Sequence, residues 1–292
     1  MRLLILGCGY TGTWLGRSLR QQGVEVVITN RSGVAPPELA GVPCYPFAGQ
    51  VPLNPAALEG VTHVLSSIPP DRDGQDPVAN HLLPELERCP LRWFGYLSTT
   101  GVYGDRRGDW VDETTPVNPQ NSRSRHRVAV EQAFLGANLP THIFRLPGIY
   151  GPGEGRNPFS RILKGPVQLI DKPGHYFCRI HVADIVQTLA RSLAQPTPHA
   201  IYNLSDDQPS ESLPVLLEAY RLLGRPAPPP MPLREAQLSP MALSFWQESR
   251  RVRNDKIKQV LGVQLRYPSY REGLAAILAE MPASVLQTGQ GT

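Results

Sequence analysis

The opening of the chain constrains it most. Leu3-Leu4-Ile5-Leu6 is a short apolar run of the kind a strand buried on both faces shows, and Gly7-Cys8-Gly9-Tyr10-Thr11-Gly12 follows at once with the spacing G-x-G-x-x-G. Gly7 permits a tight turn, and Gly9 has no Cβ to hold a diphosphate away from the backbone. Gly12 lets the following helix pack against the strand. That helix's free N–H groups then face an anion. Leu15 and Leu19 stand at i, i+4 on one helix face, Gly23 closes the segment, and Val24 to Thr29 reads as a second strand. In this context the six residues Gly7 to Gly12 are read as a dinucleotide-binding turn; the alternative is a tight turn with no ligand.

A chain of 292 residues suffices for one large α/β domain plus a smaller lobe. The net charge of +4 is small for this length, and no nucleic-acid-binding motif is present. The cysteines Cys8, Cys44, Cys89 and Cys178 are scattered without a C-x-x-C, and a disulfide at Cys8 would obstruct the glycine turn. Reduced thiols and a cytoplasmic location are expected. No secretory leader is expected, because the first residues already read as a strand, and no apolar window is long enough for a membrane span.

Strand-like and helical stretches alternate through the first half, which argues for a Rossmann-type, doubly wound parallel α/β sheet. Further strands are expected at Pro43–Phe47, Val61–Ile68, Trp93–Ser98, His142–Leu146 and Ala200–Leu204. Helices are expected at Asn80–Cys89, Arg125–Leu135, Val182–Leu193 and Tyr270–Glu280, with a flexible loop at Gly151–Gly155. Asp206-Asp207 reads as a helix start. The expected division is a cofactor domain over residues 1–150, completed by about 178–205. Residues 151–177 and 206–292 would form a smaller C-terminal substrate lobe, and the last ten or so residues, through Thr292, would fray.

The residue ending the second strand separates the two nicotinamide dinucleotides. An Asp or Glu there accepts hydrogen bonds from a ribose 2′-OH and repels a 2′-phosphate. This chain has neutral Asn30, then Arg31 with a bidentate fork and Ser32 with a hydroxyl, which favours NADP over NAD; the bland reading makes Arg31 a solvated loop residue.

Several ordered segments resemble the extended short-chain dehydrogenases/reductases, in their epimerase/dehydratase branch. Ser98-Thr99-Thr100-Gly101-Val102-Tyr103-Gly104 is similar to S-S-x-x-V-Y-G, and Arg145 to Gly153 to R-x-x-x-x-Y-G-P-G. Ile180 to Ile185 is similar to I-H-V-x-D-I, and Arg251 to Gly262 to the C-terminal lobe pattern. Gly108 to Glu113 most resembles the atypical, YeeZ-like subgroup of this NAD-dependent epimerase/dehydratase family. The resemblance implies a nicotinamide near Ile68, Pro69, Thr99, Arg127 and Pro147.

The family's chemistry rests on a Tyr-x-x-x-Lys pair, whose Lys lowers the Tyr pKa so that the phenol exchanges a proton with the substrate. Counting from Glu131, which matches the family's Glu, Arg127 stands where Lys belongs and Arg123 where Tyr belongs, and no Tyr occurs between Gly104 and Phe144. Arg127 could bridge ribose hydroxyls but not transfer a proton. Thr99 keeps the family's hydroxyl position, and Tyr103 is the candidate substitute acid, with packing as its alternative role. Arg123 and Arg251, the latter in the cluster Arg250, Arg251, Arg253, Lys256 and Lys258, are candidate contacts for an anionic substrate.

His175, Cys178 and His181 lack zinc spacing, so no metal is expected. The implied activity is that of an oxidoreductase or epimerase-like enzyme acting on a small polar molecule, as a monomer or homodimer, with neither nucleic acid nor membrane as partner. The rival is a dinucleotide-binding sensor that has lost turnover.

Overall fold

A computed structural model describes residues 1–49 and 51–282; the fraying expected at the terminus falls on residues outside these. Its centre is a seven-stranded sheet. The strands are β1 (Arg2–Leu6), β2 (Glu25–Asn30), β3 (Cys44–Pro46), β4 (His63–Ser66), β5 (Trp93–Thr99), β6 (Thr141–Leu146) and β7 (Ala200–Asn203). They lie in the order β7-β6-β5-β4-β1-β2-β3, every neighbouring pair parallel. Chain direction reverses its progress across the sheet between β1 and β4, and ligands of such sheets bind outside the strands' carboxyl ends at that point.

Alternation along β1 feeds two cores. Leu3 and Ile5 face one side with Leu15 and Leu19 of helix α1 (Tyr10–Gln21), while Leu4 and Leu6 face the other with Val64, Phe94 and Phe134. Between lie α2 (Pro77–His81), α3 (Leu83–Arg88), α4 (Ser122–Gly136) and α5 (Phe159–Ile162). Then come α6 (Val182–Ala194), α7 (Ser212–Leu222), α8 (Pro240–Ser244), α9 (Asp255–Leu261) and α10 (Tyr270–Glu280). Helix α6 joins α1 on the first face; α4 covers the second. A third core, with Tyr150, Phe159, Leu169, Leu216, Tyr270 and Leu274, is assembled from α5, α7, α10 and the chain near them. Short parallel ladders tie remote segments together: 148–150 with 179–181, 170–171 with 231–232, and 110–111 with 251–252.

Three expectations need correction. The helix expected at Asn80–Cys89 is two short helices meeting at Leu82, because Pro84 lacks the N–H a continuous helix would need there. Asp206-Asp207 starts no helix: α7 begins at Ser212, and buried Asp206 instead accepts the Gln208 N–H in a local turn. The expected strand through Ile68 stops at Ser66. Among the described residues no helix is long and apolar enough to cross a membrane.

Candidate active site

The glycine turn leaves β1 with Gly7 at φ +77°, where any Cβ would also stand 2.5 Å from Ile68 Cγ1. Two neighbouring strands brace it. The Gly7 N–H donates to Thr29 Oγ1 at 3.0 Å, and Ser67 Oγ donates to the Gly7 carbonyl at 3.1 Å. Gly12 is buried, and a Cβ there would meet Ile5 Cγ2 at 3.0 Å. Gly9 differs: a Cβ on it would find no atom nearer than the Gly7 carbonyl oxygen at 4.0 Å, so the space beside it is open. Gly9 caps α1 without a side chain, and the first turn carries no acidic residue. The N–H groups of Tyr10, Thr11 and Gly12 therefore have no intrahelical partner and no capping oxygen, the arrangement that receives an anion. These residues fit a dinucleotide's diphosphate. Cys8 is buried, its thiol pushed up to about 11 by desolvation, which leaves it a packing group.

At the end of β2, Asn30 folds the next four residues around itself. Its Oδ1 accepts from the Ser32 and Gly33 N–H groups and the Ser32 hydroxyl, and its Nδ2 donates to the Val34 carbonyl at 2.7 Å. Asn30 thus shapes the loop, leaving Arg31 exposed at its rim.

A cavity of about 610 Å³ opens beyond the carboxyl ends of β5 and β6. Thr99, Arg123 and Pro147 line it, as expected from the sequence. Thr99 Oγ1 accepts the Gly101 N–H at 3.1 Å, so its own proton is free for a substrate oxygen. Ser124, which the sequence reading missed, brings a second hydroxyl: a Cβ on Gly101 would lie 2.7 Å from Ser124 Oγ and 3.3 Å from Thr99 Oγ1. Gly101 therefore keeps clear a space flanked by two hydroxyls. Arg161, Arg179 and Arg250 join Arg123 in the wall, against one carboxylate, Glu248, which pairs with Arg250 at 2.9 Å. Tyr176 is the wall's phenol among the described residues.

Of the residues expected around the nicotinamide and the substrate, five do not line this cavity: Ile68, Pro69, Tyr103, Arg127 and Arg251. Tyr103 is fully buried; its hydroxyl donates to Asn203 Oδ1 at 2.8 Å and accepts from Arg145 at 3.0 Å. Desolvation pushes its pKa up, so its place is structural. Arg251 donates to the Gly108 carbonyl and stacks on Trp110 and Tyr176, while its neighbour Arg250 reaches the wall. Arg127 Nη1 donates to the Leu97 carbonyl at 2.7 Å and to the Tyr96 hydroxyl at 3.0 Å; its Nη2 and Nε make no hydrogen bond among the described residues.

Beneath the site, Arg145 grips Glu131 by two nitrogens, with Nη2–Oε2 at 2.7 Å, and Ser98 Oγ donates to Glu131 Oε1. Both partners are below 5 % exposed, so each charge depends on the other. His175 is buried against Phe177 and Trp246, and His181 accepts the Ala183 N–H through Nδ1, capping α6; burial pushes each imidazole down to about 4.

The fold defines a class: NAD(P)-binding Rossmann proteins with a site at the strand ends. A conserved protein of unknown function from Silicibacter pomeroyi is 47% identical, covering 96% of this chain and 98% of that one, with TM-score 0.87. A protein described as an NAD-dependent epimerase/dehydratase from Methylobacillus flagellatus is 27% identical over 95% of this chain and 97% of that one, TM-score 0.72. Human epimerase family protein SDR39U1 (isoform 2), solved with NADPH, shares the fold at 18% identity over 96% of this chain and 100% of that one, TM-score 0.75. No family model and no curated protein matches the sequence. The chain's structural neighbours are thus NAD-dependent epimerase/dehydratase family members, consistent, together with the ordered motifs from Gly7 to Gly262, with an atypical extended short-chain dehydrogenase/reductase.

Proposed function

We propose that the chain is a cytoplasmic NADP-binding oxidoreductase or epimerase-like enzyme acting on a small anionic substrate. The observation that carries this reading is the open cradle at Gly9, with its unpartnered N–H groups, at the same sheet edge as the arginine-lined cavity. Residues 1–150, completed by about 178–205, hold the cofactor; residues 151–177 and 206–292 form the substrate lobe.

When bound, the nicotinamide supplies hydride transfer. The N–H groups of Tyr10, Thr11 and Gly12 hold the diphosphate, Arg31 receives the 2′-phosphate beside Ser32, whose hydroxyl is given to Asn30, and the free donors of Arg127 take the ribose. NADPH in the human structure of the same fold accords with the cofactor, as does the neutral Asn30. Thr99 and Ser124 donate to a substrate oxygen in the space beside Gly101. Arg123, Arg161 and Arg179, none within ion-pair distance of a carboxylate among the described residues, favour a negatively charged substrate.

A second reading has its own observation. Arg123 occupies the place of the proton-relay phenol, and Tyr96 and Tyr103 are both buried in hydrogen bonds, which suits a dinucleotide-binding sensor without turnover. One experiment separates the two. Oxidation of NADPH is followed across a panel of carbonyl compounds and sugar nucleotides, with wild type and Thr99→Ala. Turnover of any member, slowed about tenfold or more in Thr99→Ala, supports the enzyme. Tight binding without turnover, with a protein partner captured in one redox form only, supports the sensor.

A further inference from the structure

The loop from Gly151 to Arg156 folds back from the cavity onto the glycine turn. The hydroxyl of Tyr10, first residue of α1, donates to the Pro152 carbonyl at 2.8 Å, and a Cβ on Gly151 would collide with that hydroxyl. The loop closes on itself: the Gly151 N–H donates to the Arg156 carbonyl at 3.2 Å, and the Arg156 N–H to the Gly153 carbonyl at 3.3 Å. This fixes the base of Arg156 and lays its guanidinium over the Tyr10 ring, 4.5 Å from the centroid. Arg156 is exposed, and its side chain makes no hydrogen bond or ion pair among the described residues. A cation with all its donors free thus stands beside the residue that begins the anion cradle, with no acid in that helix turn to occupy it. Stacking of an exposed cation on an aromatic ring is weak, so the guanidinium is released at little cost.

We infer that Arg156 donates to the diphosphate of the bound dinucleotide, closing the Gly9 cradle from the substrate-lobe side. This rests on the cofactor reading above. The planar fork of Arg suits two phosphate oxygens at once, and the diphosphate is common to both nicotinamide dinucleotides. Arg31, at the end of β2, faces a different group, the 2′-phosphate.

The test is calorimetric titration of wild type, Arg156→Ala, Arg156→Lys and Arg31→Ala with NADPH, NADH and adenosine 2′-monophosphate, at low and physiological salt. Arg156→Ala is expected to weaken NADPH and NADH alike, by about tenfold, and to leave adenosine 2′-monophosphate unchanged. Its dinucleotide affinity should also depend less steeply on salt, a change that loss of packing alone would not produce. Arg156→Lys should fall between, and the ligand-free melting temperature should not move. If wild type binds dinucleotide and Arg156→Ala binds it equally well, or loses affinity for NADPH only, the assignment of Arg156 is overturned while the cofactor reading stands. If wild type binds neither dinucleotide, both are overturned.

Discussion

At the glycine turn the site is made of backbone: a positive φ at Gly7, an open flank at Gly9 and the N–H groups of the first turn of α1. At the start of α4, by contrast, the family's site is made of side chains, and two of those have been exchanged for Arg123 and Arg127. The first kind of site tolerates almost no substitution, because glycine is needed for its shape. The second kind can be rewritten while the helix that carries it stays in place. Here α4 remains anchored by Glu131, which the exchange left untouched, so the scaffold of the relay survives without the relay.

Breaking that anchor should give the largest effect. Glu131→Ala leaves Arg145 buried without its partner and should cost about 3–5 kcal/mol of stability. Urea unfolding would measure it, and a loss under 1 kcal/mol would mean that α4 is held by apolar packing instead. A smaller effect sharpens the cofactor end. Arg31→Ala should weaken NADPH by about tenfold and leave NADH unchanged in fluorescence titrations. Equal losses would return Arg31 to a general electrostatic role.

An effect that depends on pH lies behind the cavity wall. Burial pushes Asp206 up to about 8 despite nearby Arg179, so the folded state holds a proton that the unfolded chain releases near pH 4. Its contribution to stability is therefore present at low pH and lost as pH rises from about 4 to about 8. Asp206→Asn should melt with a flatter pH dependence across that window, with dinucleotide affinity unaltered. A profile parallel to wild type would remove Asp206 as the source.

The same contrast explains what was legible in the sequence. Gly7, Gly9 and Gly12 could be read because strand, turn and helix follow one another directly, and the sheet followed from its apolar runs. Thr99 and Arg123 were found by position relative to Glu131 and the Val102-Tyr103-Gly104 segment. Tyr176, Arg179 and Arg250 were not picked out for the cavity. Arg179 lies in, and Arg250 beside, a ladder only two or three residues long (148–150 with 179–181, 110–111 with 251–252), which leaves no periodic signal. The same shortness hid which arginine of the 250–253 cluster faces inward. Tyr103 was ambiguous because its partners, Asn203 and Arg145, lie 100 and 42 residues away.

Gly9→Val is the most direct measurement of the central claim. The position is exposed and extended, at φ −98° and ψ −154°, and a Cβ there would meet nothing nearer than the Gly7 carbonyl oxygen at 4.0 Å, so the protein should melt close to wild type. The new side chain would fill the approach to the free N–H groups, and NADPH affinity should fall by about a hundredfold or more. Wild-type affinity in a folded Gly9→Val protein would contradict the account, because the dinucleotide would then be bound somewhere other than the opening glycines.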